Sequence, residues 1–289
     1  MSHVTFFKEI PGVFVQELLT PNASSMHKHH SHETIELLFL LDGDRHYLVE
    51  QYIYHIKPGM GILLNKHQMH YSHLLSDKKK YHRFLLYLDA SILDNYFSLP
   101  NIPSLKEIGE NFWGPTEFSE DEWQNILTTL NLLKKNLLLD TEEGNAQALL
   151  YVMNLLMTFV HSRKQHDVSF YNAKPSRFKT HSNIYRTVQD IMIYIQRHSN
   201  EPCSLDDIAN RFFISRTYCA RIFKSVSGYT ITEYRTFCRI QRAKELLSKT
   251  NTSITDIAAQ SGYESISQFE KNFKTITELT PLQFRKKYS

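Results

Sequence analysis

The chain has 289 residues, 42% of them apolar, so it is long enough for about two domains and too apolar to be largely disordered. It opens without a secretory signal, and its most apolar segment, 149–160, is too short to span a bilayer, so we expect a soluble cytoplasmic protein without membrane contact. The three cysteines lack metal-ligand spacing, which argues against a disulfide framework and fits a reducing compartment.

Charge and histidine are divided unequally along the chain. From Asn183 onward there are 16 basic and 10 acidic residues, whereas residues 1–182 hold 17 basic and 20 acidic ones. Of the 15 histidines, 14 lie in the first 182 residues. The basic C-terminal part predicts an anionic partner, with nucleic acid as the leading candidate, and the histidines predict a different chemistry for the N-terminal part.

Short segments typical of β-strands follow one another over residues 34–88. They are rich in β-branched and aromatic residues, and turn signals separate them at Asp42-Gly43 and Pro58-Gly59. The segments are TIELLFLL, RHYLVEQYIYHI, GILL and HRFLLYL. Short strands at regular spacing predict a small barrel or sandwich.

A histidine-rich pattern begins just before these segments. The stretch HSHETIELLFLLDG has the form H-x-H-x3-E-x6-G, and in GMGILLNKHQMH the first glycine precedes the last histidine by 11 residues. Together the stretches resemble the two motifs of the cupin barrel, in which three histidines and one glutamate can bind a metal. Asn65 and His67 stand where that motif has proline and glycine. The ligand types suit Fe, Mn, Ni or Zn, and the ligands implied by the resemblance are His30, His32, Glu36 and His70.

Three alternatives remain open for these side chains. They can hold a divalent metal, as in a metal-dependent cupin enzyme with an accessory helical domain, or they can line a regulatory pocket without metal. They can also only buttress the barrel, in a regulator whose N-terminal domain binds no ligand and serves for assembly. A small barrel has room for one small ligand, and polar side chains suit the hydroxyl groups of a sugar. Apart from that metal we expect no cofactor. The candidate effector contacts are His30, His32, Glu36, Tyr47, His70 and His82.

The spacing of apolar residues becomes helical after Glu120. Ser119 and Glu122 form a predicted capping box, and two strongly apolar helices follow at 123–139 and 145–163. These helices can complete the core of the barrel or form a subunit interface, and the sequence leaves both alternatives open. We expect a homodimer formed through them.

A polar segment with one proline and no sustained period, 164–183, predicts a linker. It separates an effector-binding and dimerisation domain, 1–163, from a C-terminal domain, 184–289. Everything after the linker has the pattern of helices.

The C-terminal domain contains a repeated motif, at 204–228 and 253–278. The copies lie 49 residues apart at their Ile-Ala pairs and 50 apart at their Phe-Lys pairs. Each copy has a short helix, a turn and a second helix, with Ser204 or Ser253 as the predicted N-cap. Two copies at a fixed spacing in a basic domain predict a pair of helix-turn-helix motifs rather than a generic helical domain.

The second helix of each copy presents polar side chains on its outer face. Arginine can bind guanine through two hydrogen bonds, and glutamine, serine and threonine can bond base edges or phosphates. A long helix between the copies would hold the two recognition helices about 34 Å apart, one turn of DNA. The predicted contacts with double-stranded DNA are Arg216, Thr217, Ala220, Arg221, Lys224, Ser265, Ser267, Gln268, Lys271 and Lys274.

Three stretches of this domain carry a family resemblance: EYRTFCRIQRAKELL, ITDIAAQSGYESISQFEKNFK and TPLQFRKKY. Over residues 184–288 they resemble the signature of the AraC/XylS transcription regulators. The resemblance implies that the second helix of each motif enters the major groove. Glu278 stands where the family usually has glycine, which leaves the turn geometry there open. The positions that match the family's base-contacting residues are Thr217, Arg221, Ser267 and Lys271.

These observations predict an α+β chain with an N-terminal cupin-like β-barrel, a helical appendage and an all-α C-terminal domain. We expect a sequence-specific DNA-binding transcription regulator, not an enzyme, controlled by a small-molecule effector for which a sugar is one candidate. The family resemblance implies that it activates transcription and contacts RNA polymerase.

Overall fold

The structure is a computed structural model that describes residues 3–21, 30–49, 52–74, 80–96, 102–166 and 183–288. Contacts within the chain divide it into two compact units, Met1–Thr180 and His181–Ser289. Most of the predicted linker lies outside the described residues. Among the described helices, none is long and apolar enough to cross a membrane.

The described part of the N-terminal unit contains nine strands that pair antiparallel in two sheets. They are β1 (His3–Ile10), β2 (Val13–Thr20), β3 (Ile35–Asp42), β4 (Arg45–Val49), β5 (Tyr52–Ile56), β6 (Met60–Leu64), β7 (His70–Leu74), β8 (Tyr81–Leu88) and β9 (Gly114–Glu117). One sheet has six strands in the order β1-β2-β8-β3-β6-β9, and the other has three in the order β5-β4-β7.

Both faces of the six-stranded sheet are covered. Successive side chains of a strand point to opposite faces, so Phe84 and Leu86 of β8 face away from Tyr81 and Leu85. The first pair belongs to a core shared with helices, and the second pair belongs to a core between the two sheets. A side chain of β8 on the same face as Tyr81 therefore points into the space between the sheets.

Four helices complete the described part of this unit: α1 (Ala90–Leu93), α2 (Leu105–Asn111), α3 (Glu120–Leu137) and α4 (Glu142–His166). The predicted capping box is confirmed, because the Ser119 side chain accepts the backbone N–H of Glu122 and the Glu122 carboxylate accepts the backbone N–H of Ser119. α3 and α4 contact each other, and their apolar faces join the core against the six-stranded sheet. The two helices therefore complete this core.

The first hairpin was not predicted. The predicted strands begin near Thr34, whereas β1 and β2 pair before it. Their turn contains Pro11 and Gly12, and Gly12 has φ +78°, a conformation that glycine adopts without strain. The sequence does contain a signal for this hairpin, because segments of alternating apolar residues flank the proline-glycine pair.

The described part of the C-terminal unit is built from helices, as predicted. They are α5 (Asn183–Arg197), α6 (Leu205–Arg211), α7 (Arg216–Ser227), α8 (Ile231–Lys249), α9 (Ile254–Gln260), α10 (Ile266–Thr277) and α11 (Pro281–Tyr288). α6 with α7 and α9 with α10 form the two helix-turn-helix motifs, and α8 is the long helix between them. The predicted caps are confirmed, since Ser204 accepts the backbone N–H of Asp207 and Ser253 accepts that of Asp256.

The repeat extends beyond the predicted motifs. The Thr230 hydroxyl accepts the backbone N–H of Glu233 at the start of α8, and the Thr280 hydroxyl accepts that of Gln283 at the start of α11. These pairs are 50 residues apart, like the Phe-Lys pairs. Each structural copy is therefore two helices plus the first turn of a third.

Two arginines anchor the segments that precede the motifs. Arg235 in α8 donates from Nη1 to the carbonyl oxygen of Cys203 at 2.8 Å, directly before the first motif. Arg285 in α11 donates from Nη2 to the carbonyl oxygen of Thr252 at 2.5 Å, directly before the second motif. The third helix of each copy thus fixes where its motif begins.

Glu278 adopts the conformation of the glycine that it replaces. Gly228 ends α7 at φ +75°, and Glu278 ends α10 at φ +59°. The backbone N–H of each donates to the carbonyl oxygen of a lysine, Lys224 or Lys274. The turn is therefore the same in both copies, although this left-handed conformation costs a non-glycine residue about 1–2 kcal/mol.

Candidate DNA-binding helices and effector site

α7 is the second helix of the first motif and its predicted recognition helix. Ser215 caps it by accepting the backbone N–H of Tyr218. The inner face of α7 buries Cys219 and Phe223. Its outer face is exposed and carries all the predicted DNA contacts of this copy, which are Arg216, Thr217, Ala220, Arg221 and Lys224.

Two basic side chains of α7 have exposed acidic partners. Arg216 lies 3.0 Å from a carboxylate oxygen of Asp206, and Lys224 lies 3.3 Å from one of Glu233. Exposed ion pairs of this kind contribute about 0–1 kcal/mol, so a DNA phosphate can replace the acidic partner at small cost.

α10 is the second helix of the second motif and its predicted recognition helix. Phe269 and Phe273 are buried on its inner face. Ser265 caps α10, and its hydroxyl accepts the backbone N–H of Gln268, so this serine is already bonded within the helix. All the predicted contacts of this copy are exposed, namely Ser265, Ser267, Gln268, Lys271 and Lys274.

The two motifs differ in the turn before the recognition helix. Gly262 occupies it in the second motif at φ +85°, whereas Phe213 occupies it in the first at φ +54°. Phe213 is 95% exposed, so no packing within the described chain accounts for a strained aromatic residue there.

The two motifs also differ in charge. The first, 204–228, has four basic and two acidic residues, whereas the second, 253–278, has two basic and four acidic residues. Glu264, just before the cap of α10, and Glu270, within α10, are both exposed. Since phosphates repel carboxylates, the first motif has the greater electrostatic attraction for DNA.

In the N-terminal unit, three of the predicted histidines meet. His30, His32 and His70 each offer a ring nitrogen, and these atoms lie within 4.8 Å of one another. A backbone bridge between His30 and His70, with hydrogen bonds of 3.2 and 3.0 Å, brings the first histidine beside β7. Glu36 of β3 adds a carboxylate, whose Oε2 lies 3.1 Å from His32 Nε2 and 3.4 Å from His70 Nε2.

A hydrogen bond fixes the tautomer of His70. Its Nδ1 lies 3.0 Å from the carbonyl oxygen of Gln68, which can only accept, so Nδ1 carries a proton. In the neutral ring, Nε2 then has a lone pair that faces Glu36 Oε2, and neither atom has a hydrogen-bond partner among the described residues. Two buried lone pairs facing each other mark a position for a cation, either a proton or a metal ion.

The surroundings of Glu36 favour the ionised form of its carboxyl group. Burial opposes ionisation of the carboxyl group, but the adjacent His32 and His70 outweigh burial and hold the pKa of Glu36 well below its ordinary value. The carboxylate is therefore ionised and can bind a cation.

Among the predicted metal ligands, Glu36, His32 and His70 have separations that suit a divalent transition metal. Nitrogen and oxygen ligands lie about 2.0–2.2 Å from such an ion, which places neighbouring ligand atoms roughly 3.0–3.5 Å apart. The separations from Glu36 to His32 and His70 fall in this range. The bond from His70 to a backbone carbonyl also has the form that orients metal-binding histidines.

Tyr47 lies close to this cluster between the sheets. It is fully buried, and its hydroxyl lies 3.0 Å from that of Tyr81. Burial raises the pKa of Tyr47 well above its ordinary value, so the hydroxyl keeps its proton. The Tyr87 hydroxyl lies 3.2 Å from His32 Nε2 and joins the same polar group.

Comparison with known proteins accounts for both units. Residues 14–134 match the model of an AraC-like ligand binding domain, and residues 208–287 match that of a helix-turn-helix domain. The two stretches together cover more than half of the chain. The chain belongs to the AraC family of DNA-binding transcription regulators.

Several relatives share one or both units of this AraC-family chain. The Escherichia coli TetD protein of transposon Tn10 is 28% identical over 126 residues, which are 44% of this chain and 89% of that protein. The Bacillus subtilis HTH-type transcriptional regulator YfiF is 23% identical over 268 residues, 90% of this chain and 79% of that protein. The Escherichia coli melibiose operon regulatory protein is 31% identical over 106 residues, 37% of this chain and 34% of that protein.

The chain is also similar to a solved structure of ToxT from Vibrio cholerae with an unsaturated fatty acid bound. The match covers 95% of this chain and 95% of the ToxT chain, at 15% identity. Its TM-score of 0.38 is too low to support any inference about the site.

One predicted effector contact of this AraC-family chain lies elsewhere. His82 Nε2 is 2.8 Å from Glu17 Oε1, and the other carboxylate oxygen of Glu17 is 2.8 Å from Nζ of Lys134 in α3. Because side chains alternate along β8, His82 points to the face covered by helices and not to the space between the sheets. The structure does not bring it together with the other predicted contacts.

Two inner arginines were not predicted. Arg45 is 2% exposed, and its guanidinium carbon lies 4.1 Å from the ring centre of Tyr81. The guanidinium carbon of Arg83 lies 5.8 Å from the same ring centre. The alternation along β8 could have placed Arg83 on the face of Tyr81, but only the pairing of strands shows that this face is the inner one.

Proposed function

We propose that this AraC-family chain controls transcription by placing α7 and α10 in successive major-groove segments, in response to a small molecule bound by the N-terminal unit. The duplicated motif carries the proposal. The same caps, buried aromatic residues and anchoring arginines position two exposed recognition helices at the two ends of α8. Two helices held in this way suit a long DNA site contacted on one face.

The proposal assigns base and phosphate contacts to different side chains. Arg221 is assigned to a guanine through two hydrogen bonds, and its matching position in the second motif, Lys271, to a base with an acceptor group. Lys224 and Lys274, near the ends of their helices, are assigned to phosphates. Ser267 and Ala220 are short, so we expect fewer base contacts from their positions.

The N-terminal unit, proposed as 1–163 and joined by the segment 164–183 to the DNA-binding domain 184–289, is also assigned a role in dimerisation. Several leucines on or beside α3 and α4 are exposed, which supports an interface between two copies of the chain. They are Leu132, Leu138, Leu139 and Leu150.

Activation of transcription through contact with RNA polymerase completes the proposal. In this regulator, His30, His32, Glu36, Tyr47 and His70 contact the effector.

A metal-dependent enzyme is the second candidate function, and the histidine cluster favours it. His30, His32, Glu36 and His70 would hold the ion, which would supply a Lewis acid in the N-terminal unit. In that case the helical unit would be accessory.

One pair of measurements separates the two candidates. The full-length chain is mixed with genomic DNA fragments, the bound fragments are selected, and their affinity is followed by fluorescence anisotropy at increasing salt. We expect a preference for selected fragments and an affinity that falls steeply with salt. Metal analysis is run on the same preparation. Stoichiometric iron or manganese, together with no preference among duplexes at low salt, would favour the enzyme.

A further inference from the structure

Arg83 is a positive charge between the two sheets, and no carboxylate of the described residues forms a direct ion pair with it; the Glu36 carboxylate acts on it only from a longer distance. It lies in β8 on the same face as Tyr81. Its direct neighbours on the adjacent strands are Leu18 of β2 and Leu40 of β3. Both leucines pack in or against the core between the sheets. The cross-strand positions beside Arg83 therefore offer neither a carboxylate nor any other polar side chain.

The hydrogen-bonding capacity of Arg83 is only partly used. Nη2 donates to Gln16 Oε1 at 3.3 Å, whereas Nε is fully buried and has no hydrogen-bond partner among the described residues. No carboxylate of the described residues lies within ion-pair distance of this guanidinium. A buried donor without a hydrogen-bond partner costs free energy, which an anion that accepts a hydrogen bond from Nε would recover.

The surroundings of Arg83 add positive charge and a second donor. Arg45 contributes another guanidinium over the ring of Tyr81. The hydroxyls of Tyr47 and Tyr81 lie 3.0 Å apart, so one donates to the other and the second hydroxyl hydrogen remains available. The fully buried carboxylate in this region belongs to Glu36, which His32 and His70 already contact. The guanidiniums of Arg45 and Arg83 thus have one fully buried carboxylate in their region, and that carboxylate directly contacts the two histidines.

We propose that Arg83 binds an anionic group of the effector, a carboxylate or a phosphate, between the two sheets. The inference rests on the proposed function and deepens it, since it replaces a neutral sugar by an acidic metabolite. The fork of the guanidinium matches the oxygens of either anion, and the free tyrosine hydroxyl can donate to a third oxygen.

The test compares acids with their neutral counterparts on the full-length chain. Thermal unfolding midpoints are measured at constant ionic strength with gluconate against glucose, with glycerol phosphate against glycerol, and with formate and inorganic phosphate as minimal anions. We expect a saturable rise of the midpoint with acids of one class and none with glucose or glycerol. Comparison of the carboxylic acids with the phosphates shows which of the two anionic groups the chain binds.

Three variants decide whether Arg83 is responsible. In Arg83→Met the acid-dependent rise should require about tenfold or more ligand, the loss expected for one charge-assisted hydrogen bond. Arg83→Lys, which keeps the charge, should retain part of the response. Lys57→Met removes an exposed positive charge from the same unit and should respond like the original chain.

Stability without ligand gives an independent readout. Because no described carboxylate forms a direct ion pair with Arg83, the midpoint of Arg83→Met should stay close to or above that of the original chain. A strongly lowered midpoint, or failure to fold, would show that Arg83 has a structural partner and would overturn the inference. So would an acid response that is absent in the original chain or unchanged in Arg83→Met.

DNA binding is measured in parallel on the same samples. Suppose that the original chain selects and binds DNA, but the acids raise its midpoint equally in Arg83→Met or do not raise it at all. The proposed anion-binding role of Arg83 is then rejected, and the proposed function as a DNA-binding regulator is retained. If the original chain shows no DNA preference, the proposed function itself fails.

Discussion

The two helix-turn-helix motifs have the same internal framework and different outer surfaces. Inside, their caps, buried aromatic residues and anchoring arginines correspond at a spacing of 49 or 50 residues. Outside, the first motif has an excess of basic residues and an exposed phenylalanine in its turn, whereas the second has an excess of acidic residues and a glycine there. A repeated framework can therefore carry two unequal DNA-binding surfaces, and we expect the first motif to contribute more of the affinity.

The largest expected effect tests the shared framework. Phe223→Ala and Phe273→Ala should each destabilise the C-terminal unit by about 3–5 kcal/mol, because both side chains are fully buried. Urea unfolding of the full-length chain measures this, with Leu282→Ala, an exposed position, as the control. A clearly smaller loss for one of the two variants would mean that the motifs are not packed alike.

The next effect tests the unequal surfaces. Arg221→Ala should weaken binding to the selected DNA by about 1–3 kcal/mol and relax the preference at one base pair. Lys271→Ala at the matching position should cost less, because its amine cannot make the two parallel bonds of a guanidinium. Anisotropy with single-base variants of the selected site measures both. An equal or larger loss for Lys271→Ala would contradict the predicted dominance of the first motif, and Arg186→Ala in α5 serves as an exposed control.

A smaller and less specific effect is expected at the phosphate positions. Lys224→Ala and Lys274→Ala should each weaken binding to all duplexes alike and reduce the slope of log affinity against log salt by about 1. The measurement is a salt titration with selected and unrelated DNA. If either variant changed base preference instead, its assignment to a phosphate would be wrong.

The smallest effect concerns the turns. Glu278→Gly should stabilise the C-terminal unit by about 1 kcal/mol, since glycine accepts φ +59° without strain. Phe213→Gly should stabilise it similarly, because φ is +54° there. Glu270→Gly, inside α10, is the control and should destabilise by about 1 kcal/mol. A stabilised Phe213→Gly variant that binds DNA less tightly would show that the exposed ring serves binding.

The sequence predicted the features of the C-terminal unit that depend on local spacing. The caps at Ser204 and Ser253 and the helical structure of this unit are confirmed, because capping and helical periodicity involve residues a few positions apart. The carbonyl contacts of Arg235 and Arg285 were missed, since they join residues more than thirty positions apart.

The N-terminal site was only partly predictable for the same reason. His32, Glu36 and His70 were found through a spaced motif, and the structure brings them together. His82 was expected beside them, but it lies on the opposite face of β8. Arg83 was missed, because a strand's alternation does not say which of its two faces is the inner one until its neighbours are known.

The anchor of the first motif has a consequence for what the chain tolerates. Arg235 donates to the carbonyl oxygens of Ser199, Glu201 and Cys203, and every residue type supplies such an oxygen. The exposed side chains of this connecting loop, those of Asn200, Glu201 and Pro202, can therefore diversify or carry a spectroscopic label while the position of the first motif is preserved.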